Sequence, residues 1–154
     1  MSEATHRVVF DCNIFAQTLI TPAGNAAKCV ERVLSGEVRL FWSAYVLREI
    51  RAIPDKKTPG RLGVTAERVE LLIARLAPIA HLVDDPAAVY QHPTDPKDSH
   101  YVNLAVASNA KLIVSRDKHL LNLTNPSKPE SSAFKATFPN LVVLQPEQLL
   151  ELLR

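Results

Sequence analysis

The sequence predicts an α/β protein organised on a parallel sheet, and three observations carry that expectation. Short apolar runs recur along the chain: Val8-Val9-Phe10, Leu40-Phe41-Trp42, Leu112-Ile113-Val114 and Leu141-Val142-Val143-Leu144. Segments with helical spacing of apolar residues separate them. A strand that is apolar at nearly every position is buried on both faces, as in a parallel sheet covered by helices.

Taken in order, residues 7–10 read as a first strand that ends at Asp11, and residues 14–19 as a short helix closed by Thr21-Pro22. Residues 25–34 carry Ala26, Val30, Val33 and Leu34 on one helical face and stop at Ser35-Gly36. A second strand follows at 38–42, whose Phe41 and Trp42 read as core and not as stacking platforms. Ser43 then caps a helix facing inward through Val46, Leu47 and Ile50. Residues 54–63, PDKKTPGRLG, read as a basic loop, and the next helix opens at Thr65 and runs to Leu76. A third strand is expected at 79–83. Asp95-Pro96-Lys97-Asp98 begins a long helix reaching about Ser108, with a fourth strand at 112–115 and a fifth at 141–144. Pro146 sits in the first turn of a closing helix over 147–153. With no internal repeat and no linker, residues 1–154 are expected to form a single domain.

Composition narrows the function classes. No apolar stretch approaches the roughly 20 residues of a membrane helix, and no signal peptide is recognisable, so a cytoplasmic protein is expected. Cys12 and Cys29 stand seventeen positions apart without a Cys-x-x-Cys pattern, which favours buried thiols over a disulfide or zinc. The five histidines do not repeat at ligand spacing, so a histidine-based zinc site has little support. There is no P-loop, no Gly-x-Gly-x-x-Gly and no Ser-His-Asp or Cys-His arrangement. Net charge is only +2, but setting aside four carboxylates leaves 12 acids against 18 bases, a net of +6 for the remainder. A basic surface around an acidic pocket suits a polyanionic substrate.

Those four carboxylates are Asp11, Glu49, Asp98 and Asp117. In open α/β sheets ligands bind beyond the carboxyl ends of the strands. Asp11 directly follows the first strand, Asp117 follows the fourth by two residues, Asp98 lies in the first turn of the helix feeding the fourth, and Glu49 lies on the helix after the second. Each also has a purely structural explanation. Asp11 and Asp117 suit helix caps, Asp95 caps the turn that Pro96 begins, Asp98 faces a helix dipole, and Glu49 suits a solvated face. Their joint placement is what those explanations leave over. Clustered carboxylates repel unless a cation or protons compensate, and an oxygen-rich set suits Mg²⁺ or Mn²⁺.

The stretches VVFDCNIF (8–15), WSAYVLREI (42–50), DPKDSHYVNLAVASNAKLIVSRDKHLLNL (95–123) and VVLQPEQLLELL (142–153) resemble the PIN-domain nucleases, particularly the VapC-like toxins of bacterial toxin–antitoxin pairs. The resemblance covers almost the whole chain and is most specific over 95–123. It implies a three-layer fold, a five-stranded parallel sheet flanked by helices, and a ribonuclease dependent on Mg²⁺ or Mn²⁺ that hydrolyses single-stranded RNA. It places Asp11, Glu49, Asp98 and Asp117 at metal-binding, catalytic positions, Asp95 at an accessory acid, and Asn13 and Ser115 at polar positions supporting the acids. A cognate antitoxin and a homodimer are implied as partners, the apolar faces at 25–34 and 65–76 being candidates for self-association.

Two departures stand out. Residues 124–139 form a longer polar segment than the group carries, and Arg116 stands where Gly is common, beside Asp117. With Arg51, Lys56, Lys57 and Arg61 of the basic loop, Arg116 is a candidate contact for the RNA backbone. An aspartyl-phosphate phosphatase is disfavoured, because its second acid would fall at Asn13. A catalytically idle PIN-like module that binds RNA or protein is the alternative reading.

Overall fold

The computed structural model describes residues 5–154. Five strands, β1 (His6–Phe10), β2 (Val38–Trp42), β3 (His81–Leu82), β4 (Leu112–Val114) and β5 (Val142–Leu144), form one sheet in the order β3-β2-β1-β4-β5. Every pairing is parallel, with Val8 opposite both Leu40 and Leu112, and Val114 opposite Leu144. The order turns around at β1, whose Val8, Val9 and Phe10 are buried. The carboxyl ends of β1 and β4 therefore lie side by side, and Asp11 and Asp117 leave the sheet together.

Helices α1 (Cys12–Ile20), α2 (Asn25–Leu34), α3 (Ala44–Arg51), α5 (Ala66–Leu76), α6 (Ser99–Ser108) and α9 (Pro146–Leu152) cover the sheet. α6 begins after a 3-10 turn at Pro96–Asp98 and ends at Asn109, whose φ of +57° is the left-handed conformation of a helix stop. Phe41 and Trp42 are core residues, and both cysteines are buried free thiols. Among the described residues no helix is long and apolar enough to cross a membrane.

Three elements differ from the sequence reading. The expected loop at 54–63 contains a 3-10 turn at Ile53–Asp55 and a short helix, α4 (Lys57–Arg61). Pro59 is tolerated there because amides of a first helical turn have no intrahelical acceptor. Gly60 is required by packing, since a Cβ at this position would lie 2.7 Å from the Pro54 carbonyl oxygen. The third strand begins at His81 and not at 79, because the Ile79 and Ala80 amides both donate to the Leu76 carbonyl and finish α5. Finally, the polar stretch 124–139 folds into a helix, α8 (Glu130–Thr137). Phe134 and Phe138 recur four positions apart and meet the Tyr90 ring edge-on at 5.3 and 5.8 Å, which gives that stretch an apolar anchor.

Candidate metal centre

Three of the predicted carboxylates converge tightly. One oxygen each from Asp95, Asp98 and Asp117, with a ring nitrogen of His119, all lie within 4.8 Å of one another. Asp11 joins this group through Ser115, and Glu49 connects through Tyr101 to the Cys12 amide beside Asp11. The Ser115 hydroxyl donates to Asp11 Oδ2 at 2.7 Å, and its own oxygen accepts the Asp117 amide at 2.9 Å. Ser115 is completely buried, so it ties the exits of β1 and β4 together. Glu49 is reached through Tyr101, whose hydroxyl donates to Glu49 Oε1 and accepts the Cys12 amide at 3.2 Å.

Capping and clustering turn out to be compatible, because a carboxylate has two oxygens. Asp117 spends Oδ1 on the His119 amide (2.8 Å) as the cap of the short helix α7 (Lys118–Leu121). Asp95 caps its turn by accepting the Lys97 amide at 3.2 Å, and Asp11 accepts the Asn13 amide at 3.4 Å. Asp98 occupies a cap position but makes no such bond. Its Oδ2 is buried and, among the described residues, meets no hydrogen-bond donor. A buried carboxylate oxygen left so is costly unless a proton or a bound cation satisfies it.

The electrostatics agree. Burial, then the charges of Asp117, Asp95 and Asp11, push the Asp98 carboxyl up to about 8. Burial also raises Asp11, against the lowering effect of the Ser115 and Asn13 hydrogen bonds. Three carboxylates and an imidazole, one oxygen without a donor, fit a hard divalent cation such as Mg²⁺ or Mn²⁺.

Other predicted residues sit apart from this cluster. The Asn13 side chain is exposed, and only its backbone amide touches Asp11, so its expected support through the side chain is not what the structure shows. Arg116 turns away from Asp117: Nε donates to Gln17 at 2.8 Å and the guanidinium pairs with Glu147. It closes a clamp between α1, α9 and the loop that carries Ser115 and Asp117. Arg51 is engaged by Glu70 at 2.8 Å, whereas Lys56, Lys57 and Arg61 are exposed.

Three contributors escaped the sequence reading. His119 lies 3.6 Å from Asp95 and 3.9 Å from Asp117. A search for repeated histidine spacing overlooks it because its partners are acids; its position two residues after Asp117 is the available signal. Tyr101 stands three residues after Asp98, hence on the same helical side. His92 is buried and accepts the Thr94 and Asp95 amides at Nδ1 (3.1 and 3.0 Å), leaving Nε2–H to donate to the His119 carbonyl at 2.9 Å. It thereby pins the Asp95 turn to the start of α7, a long-range role with no local sequence mark.

Residues 7–119 match the family model described as PIN domain. No curated protein sequence matches the chain. Among solved structures, that of VapBC2 from Rickettsia felis bound to a DNA fragment from their promoter is similar with a TM-score of 0.54. The similarity covers 90% of this chain and 98% of that one at 13% identity, a likeness of fold.

Proposed function

The chain belongs to the PIN-domain family, and from that premise we propose that it is a single-domain, metal-dependent endoribonuclease acting on single-stranded RNA, the toxin of a toxin–antitoxin pair. The observation that carries the enzymatic part is the buried Asp98 oxygen without a donor, set among Asp95, Asp117 and Asp11. Asp98, Asp117 and Asp95 would hold Mg²⁺ or Mn²⁺, with Asp11 and Glu49 completing the acid set. When bound, such an ion supplies a lowered water pKa and Lewis-acid stabilisation of charge at phosphorus.

The chain's own residues have distinct tasks in the hydrolysis. Ser115 fixes Asp11 at one oxygen and so holds the carboxylate in one orientation. Tyr101 occupies Glu49 Oε1 and leaves Oε2 as the oxygen that would accept the proton of the attacking water. Lys56, Lys57 and Arg61 form the candidate clamp on the RNA backbone, while Arg51 and Arg116 contribute less because acids already engage them. Cys12 is unsuited to nucleophilic attack: burial pushes its thiol up to about 12. With Arg116 directed to Glu147, the cation beside Asp117 no longer favours an idle module.

The toxin role rests on the resemblance to VapC-like toxins and on the fold likeness to VapBC2. An antitoxin Arg or Lys placed among these acids would satisfy the carboxylates that otherwise need metal. The faces of α2 and α5 considered for self-association place Val30, Val33, Val69 and Leu72 in the core, yet leave Leu71 exposed over an open groove of ≈ 460 Å³. That groove is the surface we assign to self-association as a homodimer. Purified protein should cut RNA with added Mg²⁺ or Mn²⁺ and stop on chelation. Turnover that persists in metal-free buffer would defeat the carboxylate mechanism. Induction of the chain should slow growth, Asp11→Asn should not, and a neighbouring antitoxin gene should rescue.

A further inference from the structure

A second cavity, of ≈ 390 Å³, opens between the start of α3, the 84–88 loop and α6. It is lined by Tyr45, Arg48, Asp84, Asp85, His100 and Asn103, among others. Tyr45 and His100 stack with ring centroids 3.4 Å apart and planes 8° from parallel, and the Arg48 guanidinium lies 5.7 Å from the Tyr45 ring. His100 is exposed, so an aromatic surface faces solvent where core packing does not require it.

Two lining residues are chain neighbours of the acids: Arg48 precedes Glu49 on α3, and His100 follows Asp98 by two residues. Burial first and then Glu49 push the Tyr45 hydroxyl up, against Arg48, with Asp95 and Asp98 acting in the same direction as Glu49.

The polar lining carries both signs. Asp84 and Asp85 offer carboxylate acceptors, and Asp85 is held at φ +40°, a backbone conformation rare for a residue with a side chain. Asn103 uses Oδ1 to accept the Val89 and Tyr90 amides at 3.0 and 2.9 Å, which leaves its NH₂ group to donate. Two carboxylates beside a path for RNA phosphates repel the strand unless they meet donors, and the donors RNA brings are ribose 2′-hydroxyls, common to every nucleotide, and base N–H groups, which differ between bases. Single-stranded RNA is read by stacking unpaired bases on Tyr, His or Arg and bonding their edges.

We propose that this cavity is a nucleobase subsite for the RNA strand held at the acid cluster, stacking one base on the Tyr45–His100 pair and preferring guanine. This rests on the reading of the acids as an RNA-cleaving site. Guanine alone among the four bases joins two adjacent donors, N1–H and N2–H₂, to two adjacent acceptors, O6 and N7. The donors suit Asp84 or Asp85 and the acceptors suit Arg48.

The test is binding of labelled single-stranded uracil tracts carrying one central G, A, C or U, followed by fluorescence anisotropy in chelator so that cleavage is silent. The G tract should bind about tenfold tighter than the others. His100→Ala should weaken all four by roughly fivefold or more through lost stacking. Asp84→Asn with Asp85→Asn should reduce the G preference while leaving the U tract bound at least as well. These positions are exposed, and unchanged thermal melts should show that the variants fold. Equal affinity for the four tracts, or an unaltered His100→Ala, overturns the subsite. If metal-loaded protein then still cuts RNA, the nuclease reading survives that result. G-selective binding by a protein that never cuts supports the subsite and defeats the nuclease reading.

Discussion

Two charged clusters flank the same loop, residues 115–117, and they are built on opposite principles. On one side Arg116 meets Glu147 and Gln17, and Asn25 adds a further contact to Glu147 at 3.4 Å, so opposite charges are matched within the protein. The other side gathers Asp95, Asp98 and Asp117 with a buried oxygen left over and the exposed His119 imidazole at their edge. Their titrations diverge accordingly. Hydrogen bonding to Arg116 holds the Glu147 carboxyl below its ordinary value, whereas burial and like charge push Asp98 up to about 8. The matched cluster contributes to folding at neutral pH. The unmatched one opposes folding unless a proton or a cation completes it, which is what a binding site requires and a scaffold avoids.

The largest effect expected from this contrast is on activity. Asp98→Asn should lower RNA cleavage on the order of a thousandfold or more, since it removes a ligand for an ion that contributes several kcal/mol to the transition state. Steady-state rates measured over a range of Mn²⁺ concentrations check this, and a loss under tenfold would return Asp98 to a helix-start role. Ser115→Ala comes next. It should weaken metal affinity about ten- to a hundredfold and cost ~1 kcal/mol of stability, because Asp11 and the Asp117 amide lose a shared partner. Metal titration and urea unfolding of the same variant separate those two effects.

Stability against pH should show the opposite signs of the two clusters. In metal-free protein Asp98 has a folded pKa of about 8, above its unfolded value of 3.8, so its contribution is fully present below pH 3.8 and is lost as pH rises toward 8. Melting temperatures in chelator should therefore fall across that window, and Asp98→Asn should flatten the fall and melt a few degrees higher at pH 7.5. Glu147 behaves in reverse: its folded pKa lies below 4.5, and its contribution is lost only as pH drops beneath that value. Arg116→Ala should show the smallest effect, at most about 1 kcal/mol, because the pair is partly exposed, and cleavage should stay within a few-fold of wild type.

The same contrast explains what could be read from the chain. Strands β1, β2, β4 and β5, their parallel pairing and the position of the acids after β1 and β4 follow from local patterns: apolar runs, cap residues and the rule that sites lie beyond strand ends; β3, two exposed residues, carries no such run. The acids themselves are marked twice, as caps and as cluster members, and sequence offers these as alternatives when the two oxygens of Asp117 allow both. What sequence does not carry is pairing across distance. Arg116 stands next to Asp117 in the chain, yet its partner is Glu147, thirty-one residues on. His92 accepts the Thr94 and Asp95 amides and donates to the His119 carbonyl, and Tyr101 links the Cys12 amide to Glu49, the contacts to His119, Cys12 and Glu49 joining residues far apart in the chain. The helix at Glu130–Thr137 was hidden because its apolar signal is a single Phe134–Phe138 pair in a polar stretch.

The central claim is that Asp95, Asp98 and Asp117 form one site completed by a divalent cation. Calorimetric titration of Mn²⁺ into metal-free protein at pH 7.5 tests it without relying on any substrate. The wild-type chain should bind Mn²⁺ at a defined stoichiometry, Asp98→Asn should lose most of that affinity, and Arg116→Ala should retain it. Mn²⁺ binding that is absent from the wild type, or unchanged in Asp98→Asn, would contradict the account.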